Sequence, residues 1–168
     1  MSTAGTTEPN PDYRPLSGFA ESRAAIDEVI GAAQKTLCVF DYTLEHRGYG
    51  DPARIERLRH FLLAGRAHRL RIALHDPEQL ERREPRLLAL LRQLPGSIAI
   101  HRTLGQARNA TDPFVVADDH SVWHLQHHDQ PRAIVALRSP PDASPLRERF
   151  EEIWELSEPA VGSSTLGL

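Results

Sequence analysis

The sequence predicts an α/β fold, a mixed β-sheet with helices on both faces. Three observations carry that prediction. Thr36–Tyr42 contains the unbroken apolar run Leu37–Phe40, the composition of a strand buried on both sides by helices. Helix and strand periods alternate through the first half of the chain, and strand signals then follow one another from Phe114 to Leu137. Asp51-Pro52 and Asp76-Pro77 each combine an N-capping side chain with a proline suited to the first helical turn.

Taken in order, residues 1–15 are polar, rich in Ser, Thr and Pro, and read as a disordered leader. A helix follows from about Gly18 to Lys35, with Ile26, Val29, Ile30 and Ala33 forming one stripe. The strand Thr36–Tyr42 places the carboxylate of Asp41 at its end. After a loop with two glycines, a helix from Asp51-Pro52 carries Ile55, Leu58, Phe61 and Leu62 up to Gly65. Arg69–Leu74 alternates as a strand, and a helix from about Pro85 to Leu94 stops at Pro95-Gly96. Ser97–His101 is a third strand, and Thr103–Pro113 a polar loop. Phe114–Ala117, the turn Asp118-Asp119 and Val122–Leu125 form a hairpin. Gln126–Pro131 is a histidine-rich turn and Arg132–Leu137 a further strand. Ser144-Pro145 is expected to cap the last helix, which buries Leu146, Phe150, Ile153 and Trp154 and ends at Pro159. A small-residue tail closes the chain, so the domain is expected over residues 16–159 and the tail over 160–168.

Composition excludes several classes of function. The 168 residues suit one compact domain, and a net charge of −3 gives no global attraction to nucleic acid or an anionic membrane. Every basic residue except Lys35 is arginine, scattered over many elements. Cys38 is the only cysteine and lies inside an apolar run, which makes it a buried thiol rather than a nucleophile. No signal peptide and no membrane-length apolar run is present, so a cytoplasmic protein is expected.

The stretch Thr111–Gln126 carries a more specific signal. Its strand–Asp–strand layout resembles the core of the phospholipase D-like superfamily, whose pattern is His-x-Lys-x-x-x-x-Asp. Laying that Asp on Asp118 puts Thr111 at the His position and Pro113 at the Lys position. The element order across Phe19–Ser157, and the closing Phe150-x-x-x-Trp154 helix, are similar to one half-domain of that superfamily. The chain is also similar to an uncharacterised bacterial, specifically proteobacterial, family of this fold, in which Pro85–Leu87, the Phe-x-x-Ile-Trp-x-x-Ser helix and Thr165–Leu168 recur together. The resemblance implies a phosphoryl-transfer scaffold whose active members join two halves, so that a catalytic version of this chain would be a homodimer. There one His attacks phosphorus, the other protonates the leaving group, and lysines stabilise the phosphoryl charge. Threonine and proline do neither. The family's Gly-Ser-x-Asn element is also absent, with Leu125-Gln126-His127-His128 standing near its place. The expectation is therefore a pseudoenzyme without catalytic residues or cofactor, a binding or scaffolding module of unknown partner.

Candidate ligand residues follow from the sheet. Crevices in open α/β sheets form beyond the carboxyl ends of parallel strands. Asp41, His101, Arg102 and Arg108 could converge there as an anion pocket, with Asp118 retained from the motif to bond backbone amides of its turn. The histidines His101, His120, His124, His127 and His128 offer a rival metal reading, with His120 and His124 as its strongest pair. In an extended chain His127 and His128 point apart, no metal-binding spacing is present, and a solvated turn is the expectation. The basic stretch Arg54–Arg71 has no interleaved aromatics for base stacking except Phe61 of the buried stripe, so nucleic-acid binding is not expected. An acidic closing helix, with Glu148, Glu151, Glu152, Glu155 and Glu158, is opposite in sign to that basic stretch, a pairing through which two copies could associate.

Overall fold

A computed structural model describes residues 12–161. Eight strands form one mixed sheet: β1 (Tyr13–Ser17), β2 (Thr36–Asp41), β3 (Arg69–Leu74), β4 (Ile98–Thr103), β5 (Phe114–Ala117), β6 (Ser121–Leu125), β7 (Arg132–Ala136) and β8 (Ser157–Val161). The helices are α1 (Gly18–Ala32), α2 (Pro52–Leu63), α3 (Leu80–Arg83), α4 (Pro85–Gln93) and α5 (Pro140–Glu155), with a 3-10 turn at Gly105–Asn109. The spatial order is β1-β7-β6-β5-β2-β3-β4-β8. Only the central trio β2, β3 and β4 is parallel; the remaining pairings are antiparallel.

Burial on both faces explains the apolar run in β2. One face packs Leu37 and Val39 beneath Ile26 and Val29 of α1, Leu58 and Phe61 of α2 and Leu87 and Leu91 of α4. The other packs Cys38 and Phe40 with Phe114, Val116 and Val122 beneath Phe150 and Ile153 of α5. Fully burying a side chain the size of Phe150 contributes about 2–3 kcal/mol. The α/β architecture with helices on both faces is thus present, with the single helix α5 covering one side.

Several boundaries differ from the sequence expectation. β1 begins at Tyr13, inside the stretch read as leader. Only Leu16 of its five residues is buried, so it carries no apolar period, and it forms by adding its backbone to the free edge of β7. α5 starts at Pro140 rather than at Pro145, and Pro145 is accommodated in its second turn. The chain leaves α5 at Glu155 and returns as β8 along β4, past a register shift between Ile100 and His101. Pro159 therefore sits in an edge strand, the one place in a sheet where a missing N–H is tolerated. β4 extends to Thr103, which puts Arg102 inside the strand. Asp76-Pro77 yields a turn in which Asp76 Oδ1 accepts from Glu78 N (3.1 Å), ahead of the four-residue α3. The rest of the leader, and the tail beyond Val161, lie outside the described residues. Among the described residues no helix is long and apolar enough to cross a membrane.

Candidate functional site

The carboxyl end of β2 is the polar centre of the molecule. Asp41, its last residue, is 3% exposed. Its carboxylate accepts from Tyr42 N (2.7 Å) and from Arg47 Nε (2.7 Å) and Nη2 (3.3 Å). Arg47 reaches back because Leu44, His46 and Gly48 all adopt positive φ (71°, 67° and 90°) and curl the loop. Its guanidinium stands 5.1 Å from the ring centroid of buried Trp123, whose Nε1 donates to Ser22 Oγ (3.1 Å). Behind it, buried Arg54 donates to Asp27 Oδ1 (2.8 Å), the Arg23 carbonyl (2.8 Å) and the Arg47 carbonyl, and stacks on Tyr49.

His75 follows β3 at the same rim. Its Nε2–H donates to the Ala110 carbonyl (2.7 Å), so Nδ1 must accept from the Thr103 hydroxyl (2.5 Å). Burial lowers its pKa and keeps the ring neutral. The edge of Tyr42 meets His75, and its face stacks on His128 at 4.1 Å.

On the α5 side, Asp112 is clamped by both terminal nitrogens of Arg149 and accepts from His124 Nε2 (2.8 Å). Burial alone would raise this carboxyl; the bonds from Arg149 and His124 overcome it and hold Asp112 well below the usual carboxylate range.

The predicted anion pocket does not assemble as expected. Asp118 lies at the opposite end of β2, where its carboxylate accepts the amides of Gln34 (2.7 Å), Lys35 (2.9 Å) and Thr36 (3.0 Å). It does bond backbone amides, but those of the α1–β2 connection rather than its own turn. His101 and Arg102 are adjacent in β4 and face opposite sides of the sheet. His101 stacks on Trp154 at 3.6 Å and donates from Nδ1 to Ser157 Oγ (2.8 Å), whereas Arg102 pairs with Glu78. Burial lowers the His101 pKa. Arg108 reaches only the His75 carbonyl, at 3.5 Å. Asp41 and Arg108 thus share the His75 neighbourhood without His101, Arg102 or Asp118. The pair His120 and His124 also separates: His120 bonds Ser121 Oγ (2.8 Å) at the turn of the β5–β6 hairpin, and His124 bonds Asp112 at its open end.

Thr111 and Pro113 stand at the rim, beside Asp41 and His75. Their carbonyls accept from His128 N (2.9 Å) and Leu125 N (2.9 Å). The β6–β7 turn that His128 belongs to edges a cleft of about 160 Å³ bounded by Phe19, Ser22, Arg47, Trp123 and Asp129. His127 and His128 do not point apart. The chain turns there instead of staying extended, with Gln130 N donating to the His127 carbonyl (3.0 Å), and the two rings stack at 4.9 Å. Together with Asp129 they are the residues of this rim whose donor atoms approach closely enough to hold a metal.

Arg47, His75 and Arg149 were not singled out by their residue types. Arginine and histidine are common at loops and helix surfaces, and only the tertiary fold sets them on Asp41, Thr103 and Asp112.

Comparison with known proteins places this scaffold. A family model described as a domain of unknown function (DUF7931) matches residues 19–163. No curated protein matches the chain. Among solved structures, TrmBL2, an archaeal chromatin protein with a novel mode of DNA binding, aligns at TM-score 0.63 and 16% identity over 94% of this chain, which spans 57% of that protein. Nuc, a phospholipase D family member from Salmonella typhimurium, aligns at TM-score 0.56 and 14% identity over 90% of this chain and 99% of its own. NucT from Helicobacter pylori aligns at TM-score 0.54 and 10% identity over 88% and 98%. At such identities the likeness is one of fold, and the fold is phospholipase D-like.

Proposed function

This chain belongs to the DUF7931 family, and we propose that it is a binding module on a phospholipase D-like scaffold that has lost phosphoryl-transfer chemistry. The carrying observation is the state of the rim. With the motif Asp laid on Asp118, Thr111 and Pro113 fall at the His and Lys positions, and the nearby imidazoles are engaged: both nitrogens of His75 are bonded, and His124 Nε2 is held by a carboxylate already clamped by Arg149. A nucleophilic imidazole needs a free lone pair aimed at open space, and neither His75 nor His124 Nε2 offers one. The cleft beside Trp123, with Ser22, Arg47 and His128 as polar contacts, is the proposed binding site. Its volume of about 160 Å³ suits a small anion such as phosphate rather than a nucleotide.

The test has two arms. Bis(p-nitrophenyl) phosphate should be hydrolysed no faster than in buffer; turnover that disappears in His124→Ala would overturn the non-catalytic reading in favour of a phosphodiesterase, which sedimentation would then be expected to show as a homodimer. Trp154→Phe leaves Trp123 as the sole tryptophan. Its emission should respond saturably to inorganic phosphate, and a flat titration would remove the anion cleft.

DNA binding, named for the archaeal neighbour, is the second reading. The charges give it little support. Net charge is −3, Arg54 and Arg57 pair with Asp27, Arg59 with Glu56, and Arg71 with Glu151. Affinity for a DNA duplex that falls steeply with salt would favour it nonetheless.

A further inference from the structure

Of the aspartates at the carboxyl-end rim, Asp41 has Arg47 and Asp112 has Arg149. Asp129 differs. Among the described residues its ion-pair partners are imidazoles alone, His128 Nε2 at 2.8 Å from Oδ1 and His127 Nδ1 at 3.7 Å from Oδ2. One donor atom from each of the three residues lies within 4.8 Å of the other two. Zinc bonds of about 2.0–2.2 Å to nitrogen and oxygen need donor atoms roughly 3.4 Å apart in a tetrahedron, so separations of up to 4.8 Å must close by up to about 1.4 Å. A surface turn can do that.

The turn is also prepared for such a closure. His128 is pinned by its backbone amide on the Thr111 carbonyl (2.9 Å) and by stacking on Tyr42 (4.1 Å). The Asp129 amide donates to His127 Nδ1 (3.2 Å), a bond that the ion must displace if that nitrogen is the ligand. Two imidazoles and one carboxylate are a donor set for zinc and its neighbours, not for magnesium or calcium, which take oxygen alone.

We propose that His127, His128 and Asp129 bind a divalent transition-metal ion of the zinc class. Three protein ligands leave a zinc-class ion one further position. The ion supplies the positive charge that arginine supplies to Asp41 and Asp112. The site shares His128 and Asp129 with the wall of the anion cleft, and Zn²⁺ binding without phosphate tests it apart from that reading.

The test uses the full chain, freed of metal by chelation, and titrates it with Zn²⁺ alone by calorimetry, with Co²⁺ as a visible-absorbance reporter. One ion should bind per chain, raise the melting temperature and give Co²⁺ a tetrahedral visible spectrum. His128→Ala and Asp129→Asn, both in a surface turn, should keep the native circular dichroism yet weaken Zn²⁺ binding by more than about tenfold, the scale of losing even an outer partner of a metal site. His120→Ala should change nothing. Zn²⁺ affinity unaltered by the first two substitutions, no binding by the unsubstituted chain, or Mg²⁺ competing on equal terms would each overturn the proposal.

Discussion

Asp118 ties the amides of Gln34, Lys35 and Thr36 into the start of β2 while itself sitting at φ 54°. Hydrogen bonds to a charged acceptor are worth about 1.5–3 kcal/mol each, so Asp118→Ala should destabilise the fold by roughly 3 kcal/mol or more, read as a lower urea midpoint. Burial tends to raise this carboxyl, but the three amides hold it below its usual value. Its contribution should therefore be complete above pH ~4 and fade as pH falls through the depressed folded pKa. Glu84 has the opposite sign. Burial pushes its carboxyl up to about 7, so the native state keeps a proton that the unfolded chain releases near pH ~4.3. This residue makes the protein less stable as pH rises from about 4.3 to 7, with no further loss above. In thermal melts at pH 5 and 8, Glu84→Gln should remove part of that fall, about 1–3 kcal/mol, and an identical pH slope in the two proteins would contradict the assignment.

At the scale of elements, the β2–α2 connection does most to build the rim. Gly48 sits at φ 90°, where a Cβ would come within 2.9 Å of Arg23 Cδ and 3.2 Å of Arg54 Nη1. Gly48→Ala should cost about 1–3 kcal/mol through left-handed strain and crowding of Arg54, lowering the melting temperature by roughly 2–10 °C for a chain of this size. The elements with buried periods were legible: α1, β2, α2, β3, α4 and the β5–β6 hairpin all follow from apolar spacing. β1 and β8 were not, because an edge strand is held by its neighbour's backbone and needs no apolar alternation of its own. The start of α5 was misplaced because Pro140 and Pro145 are both plausible first-turn residues, and only the packing of Ala143 against the sheet selects the earlier one.

For the molecule as a whole, the two faces of the sheet divide the polar groups. Asp41 and Arg47 belong to the face under α1 and α2, while Asp112, His124 and Arg149 belong to the face under α5. The turn carrying His127, His128 and Asp129 closes the rim between β6 and β7. The α/β class and the phospholipase D-like order of elements were written in the linear chain, because periodicity is a local property. Which carboxylate meets which cation was not, since Asp41 with Arg47, Asp112 with Arg149 and Asp118 with the amides before β2 depend on strand order and on which face each residue takes. Neighbouring residues in a strand point apart, so His101 and Arg102 could never share a pocket within β4. Residues far apart in sequence, such as His75 and Thr103, become partners only once β3 and β4 lie side by side.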